Sequence, residues 1–386
     1  MVVIKRVRAT SLLDSRKEKT ILVTISTNIG TFSASSPTGK STGKFEAKPY
    51  KKGIESDIKA LKDFGEYFSE DILEKFEDLR RIEDVTDRNI GANSLFALES
   101  AILKAMAKEQ KKQVWQILNP NASKLPRLVG NVVGGGKHSE TSGKKPDFQE
   151  FELIPDTTTV KESYEANKKA KKEIESLLKK ADKKFSSKKN DENAWMTSLT
   201  DKEVLDVLKE THLPMGLDVA ASSFFKRKKY NYQNPLFKRT KEEQLMFLAN
   251  LIKNFNLLYV EDPFDEEDFD SFSELLKKCP ETLIVGDDLT TTNPKRLQKA
   301  IDKKSINAII VKPNQIGSLL KVKEVVEMAK KNNIRTIFSH RSGETDEDIL
   351  ADLAFGFGAD FFKCGTEGDV RVGKIKRLIE IEKSLK

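Results

Sequence analysis

The chain is expected to be α/β, with a closed α/β barrel following a smaller α+β unit, and three observations predict it. Short β-rich runs at 215–218, 257–261, 283–287, 307–312, 335–340 and 360–363 alternate with amphipathic helical patterns at 241–255, 293–304, 318–332 and 346–355, an alternation that argues for a parallel sheet. The unit recurs every 25 residues or so, out to the last run. Each run also stops on an ionisable residue: Asp218, Glu261, Asp287, Lys312, His340 and Lys363. A sustained repeat fits a closed TIM-like barrel better than the alternative, an open doubly wound sheet.

The N-terminal part reads differently. Ile21, Val23 and Ile25 alternate with polar residues, as in a half-buried strand. Leu95, Leu98, Ile102 and Met106 are spaced as on one helix face, with Ser94 as the expected N-cap. Asn119-Pro120 to Pro126 reads as a connector. The expected division is therefore an N-terminal α+β domain at 1–125 and a barrel at 126–386.

Composition bounds the function. Of 386 residues, 38% are hydrophobic and 33% charged, enough apolar material for a large core, so disorder throughout is excluded. No run reaches the roughly 18 apolar residues of a membrane helix, and the Met1–Lys5 start has too short an apolar run for a secretory signal. Two cysteines, Cys279 and Cys364, give no disulfide framework, so a reducing, cytoplasmic setting is expected. The net charge of +8 favours anionic partners. Ten lysines fall within 168–189. A solvated helix face accounts for them, and a nucleic-acid stripe is the sharper alternative, weakened because Phe185 is the single aromatic there.

The strand ends carry the chemistry. In a barrel, C-terminal strand ends converge on one mouth. Three carboxylates come first, then Lys, His and Lys. Carboxylates crowded in a low-dielectric mouth repel and call for a cation. All-oxygen ligands select a hard ion, Mg²⁺ before Zn²⁺. A lysine beside that ion is expected to have a depressed pKa and to serve as a general base. The deduced reaction is metal-assisted proton abstraction α to a carboxylate, followed by loss of a leaving group, with His340-Arg341-Ser342 offering donors to an anionic group such as phosphate.

At this point the residues resemble a known family. Val260-Glu261-Asp262-Pro263, Gly286-Asp287-Asp288-Leu289, Lys312-Pro313-Asn314-Gln315-Ile316-Gly317 and Ser339-His340-Arg341-Ser342-Gly343-Glu344-Thr345 are similar to enolase motifs, as are Leu217-Asp218, Gln149-Glu150-Phe151, Ile90-Gly91-Ala92-Asn93 and Asp14-Ser15-Arg16. The similarity spans nearly the whole chain. It implies reversible dehydration of 2-phosphoglycerate to phosphoenolpyruvate. It implies Asp218, Glu261 and Asp287 as ligands of a tight Mg²⁺, and Ser41 as a ligand of a second Mg²⁺ that arrives with substrate. It implies Lys312 as the base and Glu192 as the acid that assists hydroxide departure. It places His138 on a mobile loop and Glu150 near the leaving hydroxyl, with His340, Arg341, Ser342 and Lys363 holding the substrate's carboxylate or phosphate. It also suggests a homodimer or higher homo-oligomer.

The chain departs from the family pattern in places. The acid's usual Gly-Asp-Glu-Gly-Gly reads Asn190-Asp191-Glu192-Asn193-Ala194; Lys40 replaces a small residue; Ser223 stands where a glutamate often does; and Cys364-Gly365-Thr366-Glu367-Gly368 lacks the usual Ser/Arg-rich pattern. Three alternatives are carried forward: an inactive paralogue, a related barrel enzyme acting on another carboxylic acid, and an RNA-binding protein using 168–189. The segment 34–41 resembles a phosphate-binding loop but lacks its first glycine and a following helix, and reads better as a lid of small polar residues. Among the three histidines, His212 is expected at the surface.

Overall fold

The computed structural model describes residues 1–40, 43–64, 72–86, 89–141 and 143–385. The chain opens with strands β1 (Val2–Leu13), β2 (Lys19–Thr27) and β3 (Gly30–Ser35), followed by helix α1 (Ile54–Asp63) and strand β4 (Ile72–Leu73). They form an antiparallel sheet in the order β3-β2-β1-β4. Ile21, Val23 and Ile25 of β2 are fully buried while Leu22, Thr24 and Ser26 are half-buried, which is the alternation expected. Helices α2 (Leu79–Thr86), α3 (Ala92–Glu109) and α4 (Val114–Leu118) follow. The α3 face of Leu98, Ile102 and Met106 packs into the core shared with β2 and β3. Its N-cap is Gly91, not Ser94. Ser94 lies inside the first turn, where its hydroxyl donates to the buried Asp57 carboxylate at 2.6 Å.

The remainder is the barrel. Strands β5 (Arg127–Gly134) and β6 (Glu150–Leu153) come first, then helix α5 (Val160–Ala181), strand β7 (Trp195–Met196) and helix α6 (Asp201–Lys209). Strand β8 (Met215–Asp218) leads to a small antiparallel sheet of β9 (Phe225–Lys226), β10 (Lys229–Gln233) and β11 (Leu236–Arg239), and then helix α7 (Lys241–Phe255). Five further strands alternate with helices: β12 (Tyr259–Glu261), α8 (Phe269–Lys278), β13 (Leu283–Gly286), α9 (Pro294–Lys303), β14 (Ala308–Val311), α10 (Pro313–Ile316), α11 (Leu319–Lys331), β15 (Arg335–Ser339), α12 (Ile349–Gly356), β16 (Phe361–Lys363) and α13 (Asp369–Ser384). Threonine N-caps with a glutamate three residues on start α5, α6 and α7, at Thr159, Thr200 and Thr240.

Eight strands, β5-β6-β8-β12-β13-β14-β15-β16, close into a ring through the β16–β5 pairing, so the open sheet is excluded. The barrel is not wholly parallel. β6 runs antiparallel to both β5 and β8, opposing Glu150 to Asp218. The interior follows the two-residue strand period. Tyr259, Val285, Ile310 and Ile337 fill the ring with Val129, Ile154 and Ala308. Two residues further on from the first four lie Glu261, Asp287, Lys312 and Ser339. The same inward face thus turns from a largely apolar layer below to a polar one above.

The small sheet domain and the barrel meet beside that mouth. Thr38 and Gly343 pair their backbones at 2.7 and 2.9 Å. Asn314 Nδ2 donates to Asn93 Oδ1 at 3.0 Å, and Leu319 N to Glu99 Oε2 at 2.7 Å.

Candidate active site

Asp218, Asp287, Lys312, His340 and Lys363, each at or just past a strand end, line one cavity together with His138, Glu150, Glu192, Arg341 and Ser342. Glu261 joins them through Lys363, whose ammonium lies 2.6 Å from Glu261 Oε2. Ser41 falls outside the described residues. The convergence has a simple cause: parallel neighbours in register bring Asp218 beside Glu261, and Ser339 beside Lys363, at one level of the ring.

Lys363 is the electrostatic centre. Its buried ammonium lies 3.1 Å from Glu150, 3.0 Å from Glu152, 3.4 Å from Asp218 and 2.6 Å from Glu261. Burial opposes its charge, but these carboxylates hold its pKa well above the ordinary lysine range. Four carboxylates around one ammonium leave an excess of negative charge. Burial and mutual repulsion push Glu152 up to about 8 and Glu261 well above its usual range. Glu261 Oε1 is buried without a hydrogen-bond partner. An unpaired carboxylate oxygen within such an excess fits a hard cation, so the residues present suit a divalent ion held by Asp218, Glu261 and Asp287. Carboxylate oxygens of Asp262, Asp287 and Asp288 also converge within 4.8 Å. Asp262 accepts from the backbone N–H of Asp287 at 3.0 Å and of Asp288 at 2.7 Å, which fixes the turn after β13.

Lys312 bonds directly to Asp287, which also accepts from Gln315 Nε2 at 3.2 Å. The depressed pKa expected for Lys312 is not what the structure shows. Burial lowers it, but the adjacent Asp287 carboxylate outweighs burial and holds the amine above its ordinary range. The same carboxylate is a candidate ligand, so its charge has two claimants.

Across the cavity lies a second group. His138 Nδ1 is 3.2 Å from Glu150 and 3.5 Å from Glu192, and His340 Nε2 is 3.6 Å from the other Glu192 oxygen. Asn131 Nδ2 donates to Glu192 at 3.2 Å. Burial, reinforced by Glu150, raises Glu192 to about 7. Burial disfavours a charged His138, yet Glu192 and Glu150 lift it to about 9. His340 behaves oppositely: burial and the Arg371 guanidinium hold it well below the usual histidine range. Arg371 Nε donates to His340 Nδ1 at 3.1 Å, so the neutral ring carries its proton on Nε2, facing Glu192. The chain thus sets a charged and a neutral imidazole on either side of one carboxyl group.

The absent glycines around Glu192 are made good locally. Asn193 takes the left-handed conformation at φ +64°, which asparagine tolerates best after glycine. Asn190 Oδ1 caps the turn by accepting from Glu192 N at 3.0 Å and Ala194 N at 2.9 Å. Lys40 reaches Asp191 at 3.2 Å and Glu140 at 2.6 Å. Arg341 bonds Glu46 at 3.0 and 3.1 Å and Asn314 at 3.1 Å. Ser342 Oγ accepts from Lys40 N at 2.7 Å and Arg16 at 3.3 Å. His212 is exposed, as expected.

Glu152, Arg371 and Asp262 were missed in reading the sequence. Glu152 was findable, because Glu150 and Glu152 alternate with Phe151 and Leu153 at strand period. For Arg371, on a helix after the last strand, the sequence offers no signal.

Comparison with known proteins agrees with this geometry. Residues 4–118 match the family model described as enolase, N-terminal domain, and residues 122–386 match enolase, C-terminal TIM barrel domain. An enolase of Methanosphaera stadtmanae is 35% identical, over 99% of this chain and 97% of its own length. One of Picrophilus torridus is 34% identical over 99% of both, and one of Pyrobaculum aerophilum 36% identical over 90% of this chain and 87% of its own.

Proposed function

The chain belongs to the enolase family, and from that premise we propose that Lys312 and Glu192 carry its reaction from two sides of one cavity. The activity is that of an enolase, a lyase that interconverts 2-phosphoglycerate and phosphoenolpyruvate. The single observation that carries the residue assignment is that one cavity is lined by two differently tuned groups: a lysine on Asp287 and a buried carboxyl raised to about 7.

In the dehydration direction Lys312 Nζ takes the proton from C2 and the bonding pair moves toward the substrate carboxylate. The pair returns to form the C2–C3 double bond as the C3–O bond breaks. Protonated Glu192 gives its proton to the departing hydroxide, which leaves as water. Neutral His340 and charged His138 hold the Glu192 carboxyl between them. Arg341, Ser342 and Lys363 supply donors for the substrate's carboxylate and phosphate. A divalent cation on Asp218, Glu261 and Asp287 would take up the charge that keeps Lys312 protonated and stabilise negative charge developing on the substrate carboxylate. We assign that ion as Mg²⁺, with a second arriving with substrate through Ser41.

We also place the domain boundary between residues 125 and 126, supported by the start of β5 at Arg127. A cytoplasmic homodimer, or a higher homo-oligomer, is the setting we propose. Among the described residues no helix is long and apolar enough to cross a membrane.

Turnover of 2-phosphoglycerate, with and without Mg²⁺, tests the activity. Asp287→Ala is expected to abolish Mg²⁺ binding by calorimetry. Lys312→Ala is expected to retain it and to lose at least about 10³-fold in kcat. Full Mg²⁺ affinity in Asp287→Ala would refute the ligand assignment.

A further inference from the structure

The residues by which this chain departs from the family pattern are not scattered. Several meet behind the turn that carries Glu192. Lys171, one of the ten lysines in the basic run, is only 1% exposed, unlike the solvated lysines Lys168, Lys169 and Lys172 beside it. Its ammonium donates to the backbone carbonyl of Asn193, the residue following Glu192. It also pairs with Glu367 Oε2 at 3.0 Å, and Lys189 reaches the same oxygen at 2.6 Å. Asn193 Nδ2 in turn donates to the Glu367 carbonyl at 3.4 Å. Trp195 fixes the helix end of the assembly, its Nε1 donating to the Lys171 carbonyl at 2.9 Å.

A buried ammonium is costly unless its partners are well placed, and here both partners bear on Asn193, whose carbonyl accepts from Lys171 and whose side chain donates to the Glu367 carbonyl. In front of that residue the Glu192 carboxyl has contacts at 3.2–3.6 Å to Asn131, His138 and His340, and it lies beside Glu150. Behind it stand the short bonds of Lys171 and the Asn190 cap. The main chain that carries the carboxyl is thus anchored from behind.

We propose that Lys171, with Glu367 as its counter-charge, is a positioning residue that aims Glu192 at the leaving group. The proposal rests on the reading of Glu192 as proton donor. It assigns one lysine of the basic run to catalysis at one remove, leaving the exposed ones to solvent, and it makes Glu367, where the family is Ser/Arg-rich, a part of the acid's support.

The two half-reactions separate a positioning role from a general structural one. Abstraction at C2 needs Lys312 but not Glu192, and is read as exchange of the C2 hydrogen with solvent deuterium; loss of hydroxide needs Glu192 as well. Lys171→Met is expected to lower kcat for dehydration by about tenfold or more, with KM within about twofold and C2 exchange unchanged. Glu367→Gln, at a position 36% exposed, is expected to give a smaller loss of the same kind, and it carries the test if Lys171→Met fails to fold. Lys172→Met, on the solvated face, is the control and keeps the wild-type rate. Wild-type kcat in both Lys171→Met and Glu367→Gln overturns the proposal, and so does a parallel fall in dehydration and C2 exchange. Glu192→Gln distinguishes the levels. If it loses dehydration while Lys171→Met does not, only the positioning role fails; if it dehydrates at the wild-type rate, the reading of Glu192 fails and the proposal with it.

Discussion

Glu192 shows how one carboxyl acquires a task. An exposed glutamate is ionised at neutral pH and has no proton to give. Burial beside Glu150 raises this one to about 7, so it is half-protonated near neutrality, where a general acid works best. In the role proposed for Glu192, dehydration requires the protonated form, and the rate is therefore expected to fall as pH rises past about 7. Glu192→Gln removes that limb from the kcat profile while lowering kcat throughout. A profile that keeps the limb in Glu192→Gln assigns it to another group.

At the scale of elements, the approach of α3 to the end of α10 depends on backbone geometry as well as on the Asn314–Asn93 bond. Gly317 sits at φ +82°, and a Cβ there would lie 2.6 Å from both Cα and O of Ala92. Gly317→Ala has to strain its own backbone and push the helix start away. It is expected to cost about 1–3 kcal/mol, seen as a lower denaturant midpoint. An unchanged midpoint means that the two elements yield more easily than their spacing suggests.

The elements also explain what could be read from the sequence. The six apolar runs were legible because strands covered on both faces must be apolar throughout, and all six became ring strands. The connector at 119–126 lies between α4 and β5 as expected. β5 was hidden because Gly130, Asn131 and Gly134 interrupt it, and β6 because it is four residues long and half acidic. Those interruptions carry residues of the candidate site: Asn131 bonds Glu192, and Glu150 and Glu152 pair with Lys363. The reading failed where the site had displaced the core pattern. The lysine-rich run shows the complementary error, since ten similar residues at solvent-facing density concealed a buried one.

For the whole molecule, the groups that tune the site also tune folding. His138 binds its proton more tightly in the fold, at about 9 against an ordinary 6.5. Its contribution is fully present below pH 6.5 and is lost as pH rises through 9. Glu192, raised to about 7, likewise contributes below its ordinary range and loses that as pH rises through 7. Both slopes have the same sign. At 1.36 kcal/mol per pKa unit the histidine shift corresponds to at most about 3 kcal/mol. Unfolding midpoints are expected to decline from pH 6 to pH 9, and less steeply in His138→Gln. A midpoint that rises over this range in the wild type contradicts the assignment.

The ring's closing seam has a consequence for synthesis. β16 is the last strand of the ring to be made, yet it pairs with β5, the first of the ring, and brings the lysine that the four carboxylates share. On the ribosome, a nascent chain that has not yet released residues 361–363 holds seven staves and a knot of acids without the ammonium they share. Assembly therefore waits on the C-terminal end, and a chain stopped short of Phe361 is expected to remain sensitive to protease even with most of its barrel in hand.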